Sequence, residues 1–249
     1  MIAHGGNSCV APQNSLTAFK QAVDIGVDMI ELDVNRTVDG HPVIFHGPSL
    51  AKTTGKEGSI HDIKLNEAKR LDVGSWKDEA FSYERMLTLT EALDFAKDKV
   101  RLAVDLKTVD ILPEIVGCLK DADMVDKVVV CGCSAEWAQQ VRACDGRLSV
   151  GLNMDTDMVG IANQSSASVF HSAYIHQATT NHLSPLNISF KYVTEDLIRL
   201  AHLRAIQVWA WTVDDPDDMR RLILMGVDAI YTNYPQVLID LLESEGLSI

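Results

Sequence analysis

The chain has 249 residues, 47% hydrophobic and 23% charged, which gives enough apolar material for a substantial core and excludes a mostly disordered chain. Its formal net charge of −13 excludes the basic footprint that nucleic-acid binding needs and disfavours anionic membrane surfaces. Five cysteines, an odd number without a CxxC pair, read as free thiols in a reducing setting rather than as a disulfide framework or a zinc site.

Taken in order, short apolar runs alternate with amphipathic stretches. Ile2 to His4 reads as a strand, and Gln13 to Ile25 as a helix capped by Asn14 or Ser15 and closed by Gly26. Asp28 to Val34 is a second strand, in which Glu31 and Asp33 alternate with Ile30, Leu32 and Val34. Asp39-Gly40 marks a turn into a short return strand, Pro42 to His46. Residues 47–86 are polar and irregular, with one helical piece near Leu65 to Leu71, and are too long for an ordinary connection. Thr88 to Lys97 is a helix.

Further strands are predicted at Arg101 to Lys107, Lys127 to Cys131, Leu148 to Leu152, Ile206 to Val213 and Asp228 to Thr232, with helices near 111–123, 135–144, 194–203 and 215–225. One more strand belongs in 153–190, either at Ser168 to His171 or at Asn187 to Phe190. Cys131 and Cys133, two apart, would share a strand face. About eight strand–helix units without a change of composition predict a (β/α)8 TIM barrel, one domain over 1–249 with an inserted region at about 47–86 after the second strand. No leader is visible and no apolar run reaches the roughly 18 residues of a membrane helix, so a cytoplasmic setting without stable membrane insertion is expected.

Catalytic groups of such a barrel sit at the C-terminal strand ends. His4 ends the first strand, Glu31 and Asp33 point one way from the second, and Asp105 and Lys107 do the same further on. Trp209 and Trp211 share that spacing, with Trp209 read as core, and Asn233 follows the last strand. Carboxylates at i and i+2 facing a barrel axis are costly unless compensated, and a divalent cation compensates them. Oxygen-only ligands suit Mg²⁺ or Ca²⁺, with Mn²⁺ a further candidate, better than zinc; Asp105 is placed as the third ligand. His4 and His46 titrate near neutrality and suit acid–base work. The remaining histidines have no such context.

Several of these stretches together carry a resemblance. Ile2-Ala3-His4-Gly5-Gly6, Pro12 to Phe19, Glu31-Leu32-Asp33-Val34, Thr37 to Gly40 and Val43 to His46 resemble the glycerophosphodiester phosphodiesterase family. So do Leu50 to Gly55, Asp72 to Trp76, Leu87 to Leu93, Val104 to Lys107, Trp211-Thr212-Val213 and Thr232 to Pro235, in the family's order over essentially the whole chain. The resemblance implies a TIM barrel with a small insertion and hydrolysis of a small phosphodiester to an alcohol and a phosphate monoester. It implies a metal on Glu31, Asp33 and Asp105, His4 and His46 as the acid–base pair, and Lys107 on the phosphate. A substrate hydroxyl would attack first, giving a cyclic phosphate that water then opens. Trp76 and Trp211 would line the substrate cleft.

The chain departs from the family pattern at Gly5, Gln13 and Gly47, where an arginine, a glutamate and an aspartate are usual, and Asp105 stands where glutamate is common. Losing the cation at 5 together with the anion at 13 avoids a stranded charge. With Gly5 and Gly47 enlarging the pocket, a bulkier diester is expected, such as a sugar phosphodiester of the agrocinopine opine type. His46-Gly47 is also similar to sphingomyelinase D-like phospholipases, which cyclise lipid diesters, although those are usually secreted and disulfide-bonded. A non-catalytic phosphodiester-binding barrel is the alternative from another class.

Overall fold

The computed structural model describes residues 1–246. Inside–outside alternation organises its strands, broken by a bulge in one of them. Residues such as Ile30, Leu32, Val34, Leu102, Val104, Leu152, Ile188 and Val208 face outward into one large apolar layer beneath the helices. Ile2, Met29, Ala103, Cys131, Trp209 and Tyr231 face inward and fill the barrel's interior. Strands buried on both faces read as continuous apolar runs, and a parallel sheet covered by helices is the architecture that accommodates them.

The strands are β1 (Ile2–His4), β2 (Met29–Arg36), β3 (Pro42–Ile44), β4 (Arg101–Leu106), β5 (Val128–Cys133), β6 (Ser149–Asn153), β7 (Leu186–Ser189), β8 (Val208–Trp211) and β9 (Ala229–Thr232). All but β3 run parallel in the order β1-β2-β4-β5-β6-β7-β8-β9, and β1 pairs with both β2 and β9, so the sheet closes as an eight-stranded TIM barrel. β3 is the antiparallel return strand beside β2.

The helices lie between the strands as the apolar spacing predicts, with local differences. Ser15, not Asn14, caps the first helix, Leu16–Ile25, by accepting from the Ala18 amide. Thr88 and Glu91 form a reciprocal capping box at Leu89–Ala96. Of the two strand candidates in 153–190, Ser168 to His171 lies inside the helix Ala167–Thr180, and the strand is Leu186–Ser189. Cys131 and Cys133 do not share a face. The β5–β6 register shifts between Val130 and Cys133, with Gly132 at φ +72°, and this bulge sends Cys131 into the barrel and Cys133 to the outer layer.

Between β3 and the helix Leu89–Ala96 the chain builds a second, smaller core. Val43 and Phe45 pack there with Leu50, Ile60, Ile63, Ala68, Val73 and Met86. Polar contacts tie this segment to the barrel: Thr17 Oγ1 donates to Glu84, Lys77 Nζ to the Ser8 carbonyl at 2.9 Å, and Asn35 Nδ2 to the Gly47 carbonyl at 3.3 Å. The segment thereby roofs one side of the barrel mouth. Among the described residues no helix is long and apolar enough to cross a membrane.

Candidate active site

On three strands the inward-facing column rises from apolar to polar towards the C-terminal end. On β2 Met29 gives way to Glu31 and Asp33; on β4 Ala103 gives way to Asp105; on β1 Ile2 gives way to His4. Parallel pairing sets Asp33 beside Asp105 and His4 beside Glu31. One carboxylate oxygen from each of Glu31, Asp33 and Asp105 falls within 4.8 Å of the others.

Two of the three carboxylates are buried and Asp105 is partly so. Glu31 is 2% exposed and Asp33 1%. Lys107 Nζ stands 2.9 Å from Asp33 Oδ1 and 3.1 Å from Asp105 Oδ1. Lys107 is the charge partner of two carboxylate oxygens that are themselves buried. Burial, reinforced by Asp33 and Asp105, raises the Glu31 carboxyl well above its ordinary range. Burial also raises Asp105, with Lys107 opposing and Asp33 adding to the effect. Burial works against the Lys107 charge, but Asp105 and Asp33 outweigh it and hold the ammonium above its usual value.

Ionising all three carboxylates against one ammonium would leave a surplus of two negative charges in a small volume. A divalent cation matches that surplus, and the under-coordinated Oδ1 atoms of Asp33 and Asp105 are available to it. The donor set is all oxygen, which fits a hard cation.

Two further features build the cluster. Asn14 adopts φ +63°, and its side chain donates to Asp33 Oδ2 at 2.6 Å while accepting from the Asp33 amide at 3.3 Å. Asparagine tolerates the left-handed conformation better than other residues with a Cβ. At Gly132, a Cβ would come within 2.2 Å of Asp105 Oδ1. The β5 bulge with glycine at its centre is therefore the cradle into which the Asp105 carboxylate fits.

His4 is oriented by a chain of polar groups that starts at Asp214. Asp214 accepts from the Asn233 backbone at 2.9 Å and from Asn233 Nδ2 at 2.7 Å. A carboxylate only accepts, so the Asn233 amide is fixed with Oδ1 towards His4 Nδ1, 2.8 Å away. Ser8 Oγ donates to the same oxygen. Neutral His4 must then carry its proton on Nδ1, which leaves the Nε2 lone pair free, 4.0 Å from Glu31 Oε2.

Two cavities meet at His46. The inner one, about 290 Å³, is lined by His4, Glu31, Asp105, Lys107, Asn153, Asn187, Trp211 and Tyr231 as well as His46. The outer one, about 240 Å³, lies between the barrel and the inserted segment and is lined by Gln13, Gly47, Lys52 and Trp76 with His46. His46 itself is exposed. Trp76 donates its Nε1–H to the Val73 carbonyl at 2.8 Å and stands at the outer cavity only.

Gly5 lines neither cavity. Its amide donates to Glu31 Oε2 at 2.8 Å, and the space a side chain would need is taken by Gln13, whose Cγ would lie 2.1 Å from an added Cβ. Gly47, by contrast, has open space around it. Trp209 belongs to the barrel's inner core at 6% exposure. Cys131 and Cys133 are kept as neutral thiols by burial, the latter pushed up to about 12.

Asn14, Gly132, Asp214, Asn153 and Asn187 escaped the reading from sequence as site residues. Asn14 sits inside the recognised Pro12-Gln13-Asn14-Ser15 run but looks like a helix cap there. The others carry no local signal, because their roles depend on partners far along the chain.

Residues 4–237 match the model of the glycerophosphoryl diester phosphodiesterase family. A glycerophosphodiester phosphodiesterase of Caldanaerobacter subterraneus is 31% identical over 252 residues, covering 99% of this chain and 98% of its own. A Bacillus subtilis protein described as a putative glycerophosphodiester phosphodiesterase is 30% identical, covering 96% of each chain. Among solved structures, an Oleispira antarctica phosphodiesterase in complex with the product sn-glycerol-3-phosphate aligns with a TM-score of 0.85 at 25% identity, over 97% of this chain and 96% of that one.

Proposed function

The chain belongs to the glycerophosphoryl diester phosphodiesterase family and is a phosphoric diester hydrolase, and from that premise we propose that it cleaves a small glycerol- or sugar-type phosphodiester in a metal-dependent reaction at the inner cavity. The observation that carries this reading is the largely buried three-carboxylate cluster beside the cavity that two histidines and a lysine also line. Glu31, Asp33 and Asp105 would hold Mg²⁺, Ca²⁺ or Mn²⁺. Such a cation, when bound, supplies Lewis acidity at a phosphoryl oxygen and offsets charge in the transition state.

The protein's own groups divide the remaining work. His4, with Nδ1–H committed to Asn233, presents Nε2 as the proton acceptor for the attacking hydroxyl. His46, at the junction of the two cavities, delivers a proton to the departing alkoxide. Lys107 supplies a fixed positive charge for the non-bridging phosphate oxygens, which an overall charge of −13 would otherwise repel. A hydroxyl neighbouring the diester attacks first, and water opens the resulting cyclic phosphate. The relative with sn-glycerol-3-phosphate bound supports a small polyol phosphate as product.

A panel of phosphodiesters followed by phosphorus NMR, with and without chelator, tests the reading. The expected result is conversion of a glycerol or sugar diester to a monoester through a transient cyclic phosphate, stopped by chelator. Failure to cleave any diester with Mg²⁺, Ca²⁺ or Mn²⁺ supplied would overturn it.

A further inference from the structure

His46 stands exposed where the two cavities meet, and a glycine follows it. Glycine has no side chain to anchor and the widest backbone freedom of any residue. A group that must meet a departing oxygen within hydrogen-bond reach needs a fixed place. The residue before His46 is held by packing and pairing: Phe45 is buried in the second core, and its amide donates to the Asp33 carbonyl at 2.9 Å. The residues after it are held by a closed ring of hydrogen bonds that runs from β2 into the inserted segment.

The ring starts at Asn35, 1% exposed near the end of β2. Asn35 Nδ2 donates to the Gly47 carbonyl at 3.3 Å, and Oδ1 accepts from the Arg36 amide at 2.9 Å. A carbonyl only accepts and a backbone N–H only donates, so both contacts fix the same orientation of the carboxamide. His61 Nε2 lies 2.5 Å from Oδ1 and therefore donates to it. His61 belongs to the turn Ile60–Asp62 of the inserted segment. Its neighbour closes the ring: the Ile60 amide donates to the Pro48 carbonyl at 2.8 Å, and the Ile60 side chain is fully buried in the second core. Asn35, Gly47, Pro48, Ile60 and His61 are thus joined, with Asn35 anchored in β2 and Ile60 in the second core. Neither Asn35 nor His61 lines a cavity.

We propose that Asn35 and His61 are positioning residues for His46, clamping the Gly47 joint so that the imidazole keeps its aim at the departing alkoxide. The inserted segment thereby serves the reaction through His61, which touches neither substrate nor metal ligand. A displacement of about 1 Å in a catalytic group can cost about 10²-fold in rate, so a clamp on the backbone beside one has a kinetic consequence. This assignment rests on the proton-donor role of His46 in the phosphodiesterase reading, and it adds what holds that donor in place.

Two measurements on the whole chain test it. Backbone nitrogen-15 relaxation reads the clamp without substrate. The His46 and Gly47 amides should have order parameters of about 0.85 in the wild type, as in rigid strands, and fall below about 0.6 in His61→Phe. Kinetics in Mg²⁺ buffer on the methyl and p-nitrophenyl diesters of sn-glycerol 3-phosphate read its use, since methoxide needs a proton to leave and p-nitrophenolate does not. His61→Phe is expected to lower kcat for the methyl diester by about tenfold or more, with KM and the p-nitrophenyl rate held within about twofold. His61→Gln, whose amide still reaches Asn35 as a donor, should match the wild type in both measurements. His61→Ala removes the donor without adding bulk and decides the matter if His61→Phe does not fold. Mobile His46 and Gly47 in the wild type, or unchanged order in the donor-less variant, would overturn the clamp. Equal slowing of both diesters, slowing of neither, or a His61→Gln as impaired as His61→Phe would overturn the positioning role. If the wild type cleaves neither diester, the phosphodiesterase reading falls and the relaxation data still decide the clamp.

Discussion

The two sides of the inner cavity are built from the same structural device and carry opposite chemistry. On the β2–β4 side, inward positions at the strand ends hold the ionisable groups Glu31, Asp33, Asp105 and Lys107, with Glu31 and Asp33 buried and Lys107 paired to Asp33 and Asp105. On the β6–β8 side the equivalent positions hold Asn153, Asn187 and Trp211, all neutral and partly unpaired. Both sets face the barrel interior because every strand repeats its facing every two residues. The charged side has the chemistry to hold a cation and a phosphate, whereas the neutral side offers only uncharged polar and aromatic groups. His4 and His46 line the same cavity.

The strongest way to break this contrast is to neutralise the charged side without changing its shape. Glu31→Gln keeps an oxygen for the Gly5 amide and removes one buried charge. We expect kcat/KM to fall by about 10³-fold, the loss of several kcal/mol of transition-state stabilisation. The melting temperature of the chelated protein should hold or rise, since a repelling carboxylate has gone. Steady-state kinetics and thermal melts on one preparation check both halves. A matching fall in stability would show that Glu31 is chiefly structural.

Next in size is Asp214→Asn. An amide in that place cannot accept from both Asn233 donors, so the Asn233 side chain turns and offers NH₂ to His4 Nδ1. The imidazole then protonates on Nε2 and loses its free lone pair towards the cavity. kcat is expected to drop by about 10²-fold or more with KM little altered, as for other histidines forced into the wrong tautomer. Nitrogen-15 NMR of the His4 ring would report the tautomer directly, and an unchanged ring signal would remove the relay from the account.

A smaller effect is expected at Gly132→Ala. The new methyl would collide with Asp105 Oδ1, and the left-handed backbone adds about 1–2 kcal/mol of strain. Metal affinity should weaken by about 10- to 100-fold, the usual loss when a ligand's supporting shell is disturbed. Titration calorimetry measures it, and unaltered affinity would mean that Asp105 does not ligate. The gentlest probe is the metal itself: a cation at 100 times its dissociation constant should stabilise the fold by about 2.7 kcal/mol over the chelated protein. Denaturant melts with and without Mg²⁺ or Mn²⁺ read this, and coincident curves would count against a site.

Much of the charged side was legible in the sequence because its signals are local. Alternation alone places Glu31 beside Asp33 on one face of β2, and Asp105 beside Lys107 on β4 and the residue that follows it. The barrel followed from counting strand–helix units. What escaped depends on long-range pairing. Gly132 looks like an ordinary strand glycine until the β5–β6 register shift puts Asp105 against it. Asp214 is one acidic residue in a loop until Asn233 closes on it. Asn187 lay in a stretch where Ser168 to His171 offered a competing apolar run. The helix Ala167–Thr180 wins there because Phe170, His171, Tyr174, Ile175 and Ala178 are buried at helical spacing. At Gly5 the sequence suggested open space, whereas the structure fills it with Gln13. A glycine reports only what its own side chain lacks and leaves open what a neighbour puts there.

The central claim is that the β2–β4 side is a divalent-metal site required for diester cleavage. Titrating Mn²⁺ into chelator-stripped protein while following diester hydrolysis by phosphorus NMR tests it most directly. The account predicts one site per chain, no hydrolysis before the metal is added, recovery in proportion to occupancy, and no site in Glu31→Gln. Full hydrolysis by the stripped protein, or undiminished binding by Glu31→Gln, would contradict it.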